Sequence, residues 1–272
     1  MDDNKTLNIN DSIKPLLFNV MNDKEYDMPT EFLPMMKEKN PIIHNHSKKI
    51  MGMIISFKEL MMTYNCALKE IQTRFEILNA EISIQNRRNP IKFINPRLKS
   101  SSSLIEKMKR QDIPLSIENV EKYIEDVAGI RVICSYVDDI YALSKALQSQ
   151  SDIELVSQKD YILNPKPNGY RSMHMIVKVP IHFENGIKFV KVEVQIRTIA
   201  MDFWATLEHE LIYKNHLEDQ EEICKELDAC ARIMSGADNR MLEIRKRAEE
   251  LCAESTEEDD LIAQMKKIDY PL

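Results

Sequence analysis

Apolar residues along the chain recur at several distinct spacings, and each spacing predicts its own kind of element. Ile50, Ile54, Phe57, Met61, Tyr64, Leu68, Ile71, Phe75, Leu78 and Ile82 alternate steps of four and three, one stripe on a long helix. Asn89-Pro90 ends that segment. A second stripe, Ile223, Leu227, Cys230, Met234, Ala237, Met241, Ile244, Ala248 and Leu251, continues for about four heptads between dense charges of both signs. The chain between the stripes changes period repeatedly. Residues 116–125 read as a short helix, 126–134 as a turn entering a strand, and 138–150 as an amphipathic helix on Ile140, Leu143 and Leu147. Residues 153–157, 172–179 and 192–198 read as strands, and 199–213 as a helix with Trp204 and Leu207 facing inward. Helices interleaved with strands predict an α/β (or α+β) body with a mixed sheet.

Composition narrows the class. A chain of 272 residues that is 43% hydrophobic can bury one good-sized core, or two. A net charge of −7 argues against indiscriminate duplex binding, though a basic groove can exist within an acidic protein. Cys66, Cys134, Cys224, Cys230 and Cys252 have neither disulfide-framework nor zinc spacing, as in a reducing compartment. Asp2, Asp3 and Lys5 lead into no apolar run, and no apolar segment is long enough to span a bilayer, so a soluble, cytoplasmic protein is expected. Residues 1–46 are broken by Pro15, Pro29, Pro34 and Pro41 and read as an extension, with His44 and His46 as solvent-facing polar residues rather than metal ligands.

Chemistry concentrates in two stretches. Residues 161–174, YILNPKPNGYRSMH, form a shaped loop: two prolines remove backbone donors and Gly169 supplies a position of free φ. The loop gathers Lys166, Asn168, Tyr170 and His174 at the mouth of a strand. A polar surface turn has the same composition, but a ring beside a phosphate-seeking lysine favours a nucleotide site. In VEVQIRT, residues 192–198, Val192, Val194 and Ile196 share one strand face and Glu193, Gln195 and Arg197 the other. That second face is expensive to bury and suits the floor of a site. Arg97 and Lys99 project to one side of an extended segment, before serines that can cap a helix carrying Lys107, Lys109 and Arg110. Asp126 stands where helix gives way to strand.

Taken together, D-Y-I-x-x-P-K-P-N-G-Y-R-S-x-H, V-E-V-Q-I-R-T and A-M-D-F-W-A-T-L-E-H resemble the synthetase domain of the RelA/SpoT alarmone family, over residues 89–214. With no hydrolase or regulatory domain beside it, the chain is similar to a stand-alone small alarmone synthetase. The resemblance implies a nucleotidyltransferase-like mixed sheet of about five strands, flanked by helices, with long N- and C-terminal helices. Together with the residue pattern outside 89–214, it gives an extension (1–46), an N-terminal helix (47–88), a catalytic domain (89–214), and oligomerisation helices with an acidic tail (215–272).

It also implies transfer of pyrophosphate from ATP to the 3′-hydroxyl of GDP or GTP, giving AMP and (p)ppGpp. ATP would be held by Arg97, Lys99, Ser100, Lys107 and Arg131, with Arg131 on adenine, and the guanine nucleotide by Lys166, Asn168, Tyr170, His174 and Asp202. Tyr170 would stack on guanine while Asp202 accepts from its Watson–Crick edge. Asp126 and Glu193 would be catalytic and would bind Mg²⁺, Glu193 as a second ligand or as the base for the 3′-hydroxyl. Glu208 and His209 are expected to pair within their own helix. A homotetramer is expected, and regulatory binding of single-stranded RNA or of an alarmone stays open. So do two rivals: a same-fold enzyme acting on the tRNA 3′ end, and a catalytically silent RNA-binding relative.

Overall fold

The computed structural model describes residues 41–86, 88–215 and 220–253. Helix α1 (Pro41–Asn86) leads into β1 (Ile91–Leu98), α2 (Ser101–Arg110), α3 (Ile117–Tyr123), β2 (Ala128–Cys134) and α4 (Val137–Gln148). Strands β3 (Glu154–Asp160), β4 (Met173–Phe183) and β5 (Gly186–Thr198) follow, then α5 (Ile199–Asn215) and α6 (Gln220–Ala253). The expected extension overlaps the first turns of α1, while its first 40 residues and the acidic tail from Glu254 lie outside the described residues.

The five strands form one mixed sheet in the order β1-β2-β5-β4-β3. Only β2 and β5 run parallel; the other neighbours are antiparallel. This matches the expected mixed sheet. Its core face carries Val192, Val194 and Ile196 from β5, Met173, Met175 and Val177 from β4, and Ile130 and Val132 from β2, all essentially inaccessible. Helices α1 and α4 cover that face, with Phe75, Ile71, Leu143 and Leu147 fully buried. The alternation read from VEVQIRT therefore holds, with the polar set on the opposite face.

Strand β1 was not expected. It contains Asn95-Pro96, which argues against a central strand, but β1 lies at the sheet edge, where a missing N–H is tolerated. Strand β5 also starts earlier than 192, because β4 and β5 form a hairpin in which Phe183 pairs with Gly186. Asn185-Gly186 carries the turn signal that would have located it.

The two helical stripes have different fates. The middle of the first, from Tyr64 to Leu78, is spent on the sheet of its own subunit. In the second, only the first half packs inward: Leu227 and Ala231 are buried with Trp204 and Ala205, and Ile223, Met234 and Tyr170 pack around them. Met241, Ile244 and Leu251 are exposed. The inward placement of Leu207 is corrected, because it is exposed while Trp204 is buried and donates from Nε1 to the Leu227 carbonyl at 2.9 Å. The position of α6 decides which side of α5 faces in, and the sequence of α5 does not contain that information. Farther along α6, Arg245 pairs with Asp138 at the start of α4, and both Arg88 and Arg245 lie over the Tyr136 ring.

Candidate active site

The open sheet face is built from the same alternation that builds the core. Glu193, Gln195 and Arg197 come from β5, Gly129 and Arg131 from β2, and His174 from β4. Register sets their neighbours: Gly129 lies across from Glu193, Arg131 across from Gln195, and Gln195 across from His174.

On the β1–β2 side, Asp126 stands in the loop entering β2 between two lysines. Lys99 Nζ donates to Oδ2 at 2.9 Å and Lys107 Nζ to Oδ1 at 2.7 Å. Lys99 is placed by its backbone, which donates to the Val127 carbonyl at 2.8 Å, and Lys107 by α2. Ser100 caps α2, its Oγ accepting from the Ser103 amide at 3.2 Å. Burial opposes ionisation of Asp126, but the hydrogen bonds from Lys107 and Lys99 outweigh it and hold its carboxyl below the usual range. Glu193 is pushed the other way, by burial and then by the charge of Asp126, against a hydrogen bond from Gln195. Arg131 is half-buried, and burial followed by the charges of Arg197 and Arg97 makes its guanidinium less basic than usual.

The β4 side is aromatic and cationic. Tyr161, Tyr170 and His174 meet edge to face, with ring centroids 5.2–5.9 Å apart. Lys166 Nζ lies over the Tyr170 ring at 4.7 Å and the Tyr161 ring at 5.0 Å. Burial, then the charges of Arg197, Lys166 and Lys159, hold His174 down to about 3, so its imidazole is neutral at physiological pH. Lys159, absent from the motifs that mark the site in the sequence, pairs directly across from His174 on β3 and adds a cation to this side. Only the pairing of β3 with β4 reveals it.

Asn168 shapes the loop. Its Oδ1 accepts from the Tyr170 amide at 3.2 Å and its Nδ2 donates to Glu208 Oε1 at 3.1 Å. The expectation that Glu208 pairs within its own helix is corrected accordingly. Asp202, in the first turn of α5, lies with Oδ1 3.1 Å from Arg197 Nη1 and 3.3 Å from Arg131 Nη1, so one carboxylate joins the two sides of the site.

Gly169 is where the loop meets α6. Its φ is +88°, and an added Cβ would stand 2.5 Å from the Ala231 Cβ. Gly169→Ala combines a left-handed backbone with overpacking, which costs roughly 1–3 kcal/mol by the second effect alone. The urea midpoint of this variant is expected to fall; an unchanged midpoint would show that the loop can part from α6.

Acidic and cationic side chains thus gather at the open face of the mixed sheet. Residues 96–218 match the family model described as a region found in RelA / SpoT proteins. The chain is 37% identical to GTP pyrophosphokinase YwaC of Bacillus subtilis over 75% of its length and 97% of the relative's. It is 36% identical to GTP pyrophosphokinase YjbM of the same organism, covering 71% and 90%. Among solved structures it is similar to small alarmone synthetase 2 from B. subtilis (TM-score 0.63, 40% identity, covering 70% and 98%). It is also similar to small alarmone synthetase 1 bound to its product pppGpp (TM-score 0.64, 35% identity, covering 71% and 97%). The chain belongs to the RelA/SpoT family.

Proposed function

We propose that the protein is a (p)ppGpp synthetase that transfers pyrophosphate from ATP to the 3′-hydroxyl of GDP or GTP. One observation carries this reading: Asp126 is bonded by Lys99 and Lys107 on one side of the open sheet face, while Glu193 lies 3.8 Å from His174 on the other, where Lys166 covers the Tyr170 ring. The kinship with GTP pyrophosphokinases supports it.

ATP lies on the β1–β2 side. Arg131, which feels the charge of Arg97, flanks adenine together with Arg97, and Lys99, Lys107 and the Ser100 turn face its phosphates. The guanine nucleotide lies on the β4 side, with Tyr170 and Asp202 toward the base, Lys166 and His174 toward ribose and phosphates, and Asn168 holding the loop that carries them. The 3′-oxygen attacks the β-phosphorus of ATP; the bond from that phosphorus to the α,β-bridging oxygen breaks, AMP leaves, and the hydroxyl proton passes to Glu193. Burial and the charge of Asp126 raise Glu193 above an ordinary glutamate, which makes it a better base than its free form. Much of the acceleration comes from positioning and charge.

The donor set fits Mg²⁺, since Asp126 and Glu193 offer hard carboxylate oxygens. Such a pair with phosphate oxygens and water is the usual arrangement for this ion. When bound, it supplies positive charge against the phosphate oxygens of the donor.

The reading includes a homotetramer in the cytoplasm, with regulatory RNA or alarmone binding left to experiment. No helix among the described residues is long and apolar enough to cross a membrane. The exposed second half of the α6 stripe supports assembly. Met234 packs against the body, so the informative substitutions are Met241→Glu with Ile244→Glu. Light scattering of this pair is expected to report smaller species with unchanged circular dichroism; a wild-type monomer at micromolar concentration would contradict assembly. Magnesium-dependent release of AMP from ATP, only when GDP or GTP is present, tests the activity itself.

A further inference from the structure

Arg197 is almost fully buried on the polar face of β5, where a charge is costly unless it is fully bonded. Its Nη2 donates to Tyr170 Oη at 2.5 Å and to Gln195 Oε1 at 2.8 Å. Its Nη1 donates to Asp202 Oδ1 at 3.1 Å and its Nε to Ser172 Oγ at 3.4 Å.

A guanidinium has donors and no acceptor, so each neighbour turns an oxygen toward it. The Gln195 oxygen faces Arg197, and its amide nitrogen therefore faces Glu193, donating to Oε2 at 3.1 Å. The Tyr170 oxygen accepts from Arg197, which leaves its own proton available for His174 Nε2, 2.7 Å away. If that bond is made, Nε2 accepts and a neutral imidazole carries its proton on Nδ1. Nδ1 lies 3.8 Å from Glu193 Oε1. Two arms thus run from one nitrogen of Arg197 and end on the two oxygens of Glu193.

We propose that Arg197 is a positioning residue that sets the His174 tautomer through Tyr170 and the Gln195 amide directly, and that the resulting His174 Nδ1–H holds the acceptor hydroxyl against Glu193. This rests on the synthetase reading above. A gap of 3.8 Å is too long for a direct hydrogen bond, but a hydroxyl oxygen at about 2.8 Å from both atoms fits it as a bent bridge. That oxygen accepts from Nδ1–H with one lone pair and donates to Oε1. Its other lone pair attacks the β-phosphorus. In the transfer the hydroxyl proton moves to Glu193, and His174 keeps its own proton throughout. Arg197 and Tyr170 touch neither transferring atom; they fix which imidazole nitrogen faces the reaction.

Nitrogen-15 NMR of the nucleotide-free protein reads the tautomer directly, with the His174 signals identified by their loss in His174→Gln. The Nδ1–H form is expected in wild type at neutral pH. Tyr170→Phe keeps the ring but removes the hydroxyl link, so the preference for that form should disappear. Its kcat should fall about tenfold or more, the weight of one hydrogen bond at a charged site, with KM for the guanine nucleotide within about twofold. Arg197→Lys cannot serve both arms from one planar fork and should lose kcat similarly. An Nε2–H ring or an imidazolium in wild type would overturn the proposal, as would a Tyr170→Phe enzyme with wild-type kcat, or one whose loss is entirely in KM. The tautomer needs no substrate to measure, so a wild type that releases no AMP with GDP or GTP would refute the synthetase reading and leave the tautomer result standing.

Discussion

Glu193→Gln is expected to give a folded protein that binds both nucleotides and turns over roughly 10²-fold or more slowly, the usual weight of general-base catalysis. The amide keeps the shape of the carboxylate and loses its charge, its basicity and its affinity for a hard cation. It also turns one good acceptor into a donor. Gln195 Nε2 and His174 Nδ1 both face this side chain, and only a carboxylate can accept from both with equal strength. Chromatographic quantification of AMP, with calorimetry of each nucleotide, separates turnover from binding. A variant with wild-type turnover would remove Glu193 from the mechanism.

Asp126→Asn is the second large effect. Two lysines converge on this carboxylate at 2.9 and 2.7 Å, and its neutralisation leaves both ammonium groups without their anion. Were Asp126 only their partner, the freed lysines would bind ATP more tightly and catalysis would survive. A role in charge placement at the reacting phosphates predicts instead a turnover loss of roughly 10²–10³-fold, the range seen when one preorganised electrostatic group is removed. The magnesium concentration for half-maximal rate should rise as well. Tighter ATP with unchanged turnover and unchanged magnesium dependence would reduce Asp126 to an ion-pair partner.

How far the sequence leads depends on whether the cause is local. The two faces of VEVQIRT are a property of strand geometry, and both are where the alternation puts them. The first helical stripe was legible for the same reason, but its use on the subunit's own sheet was not, because periodicity states that a face is buried and not against what. Leu207 failed on the same ground. Strand β1 was hidden by Asn95-Pro96, whose tolerance depends on lying at an edge, a fact of sheet order. The polar side of the site divides similarly. Lys166, Tyr170 and His174 lie within one short stretch and could be picked out together. The bonds of Asn168 to Glu208, 40 positions away, and of Arg197 to Tyr170, 27 positions away, exist only once β4, β5 and α5 have assembled. Asp202 shows the limit most clearly: its place in the first turn of α5 was readable, but its bridge between Arg131 and Arg197 was not.

The central claim is tested most directly by incubating the protein with ATP labelled at the β-phosphorus, magnesium, and either GDP, GTP or deacylated tRNA. The account requires label to appear in ppGpp or pppGpp with an equal amount of AMP, and no label in the tRNA. Label on the tRNA 3′ end alone, or no AMP with any acceptor, would contradict it.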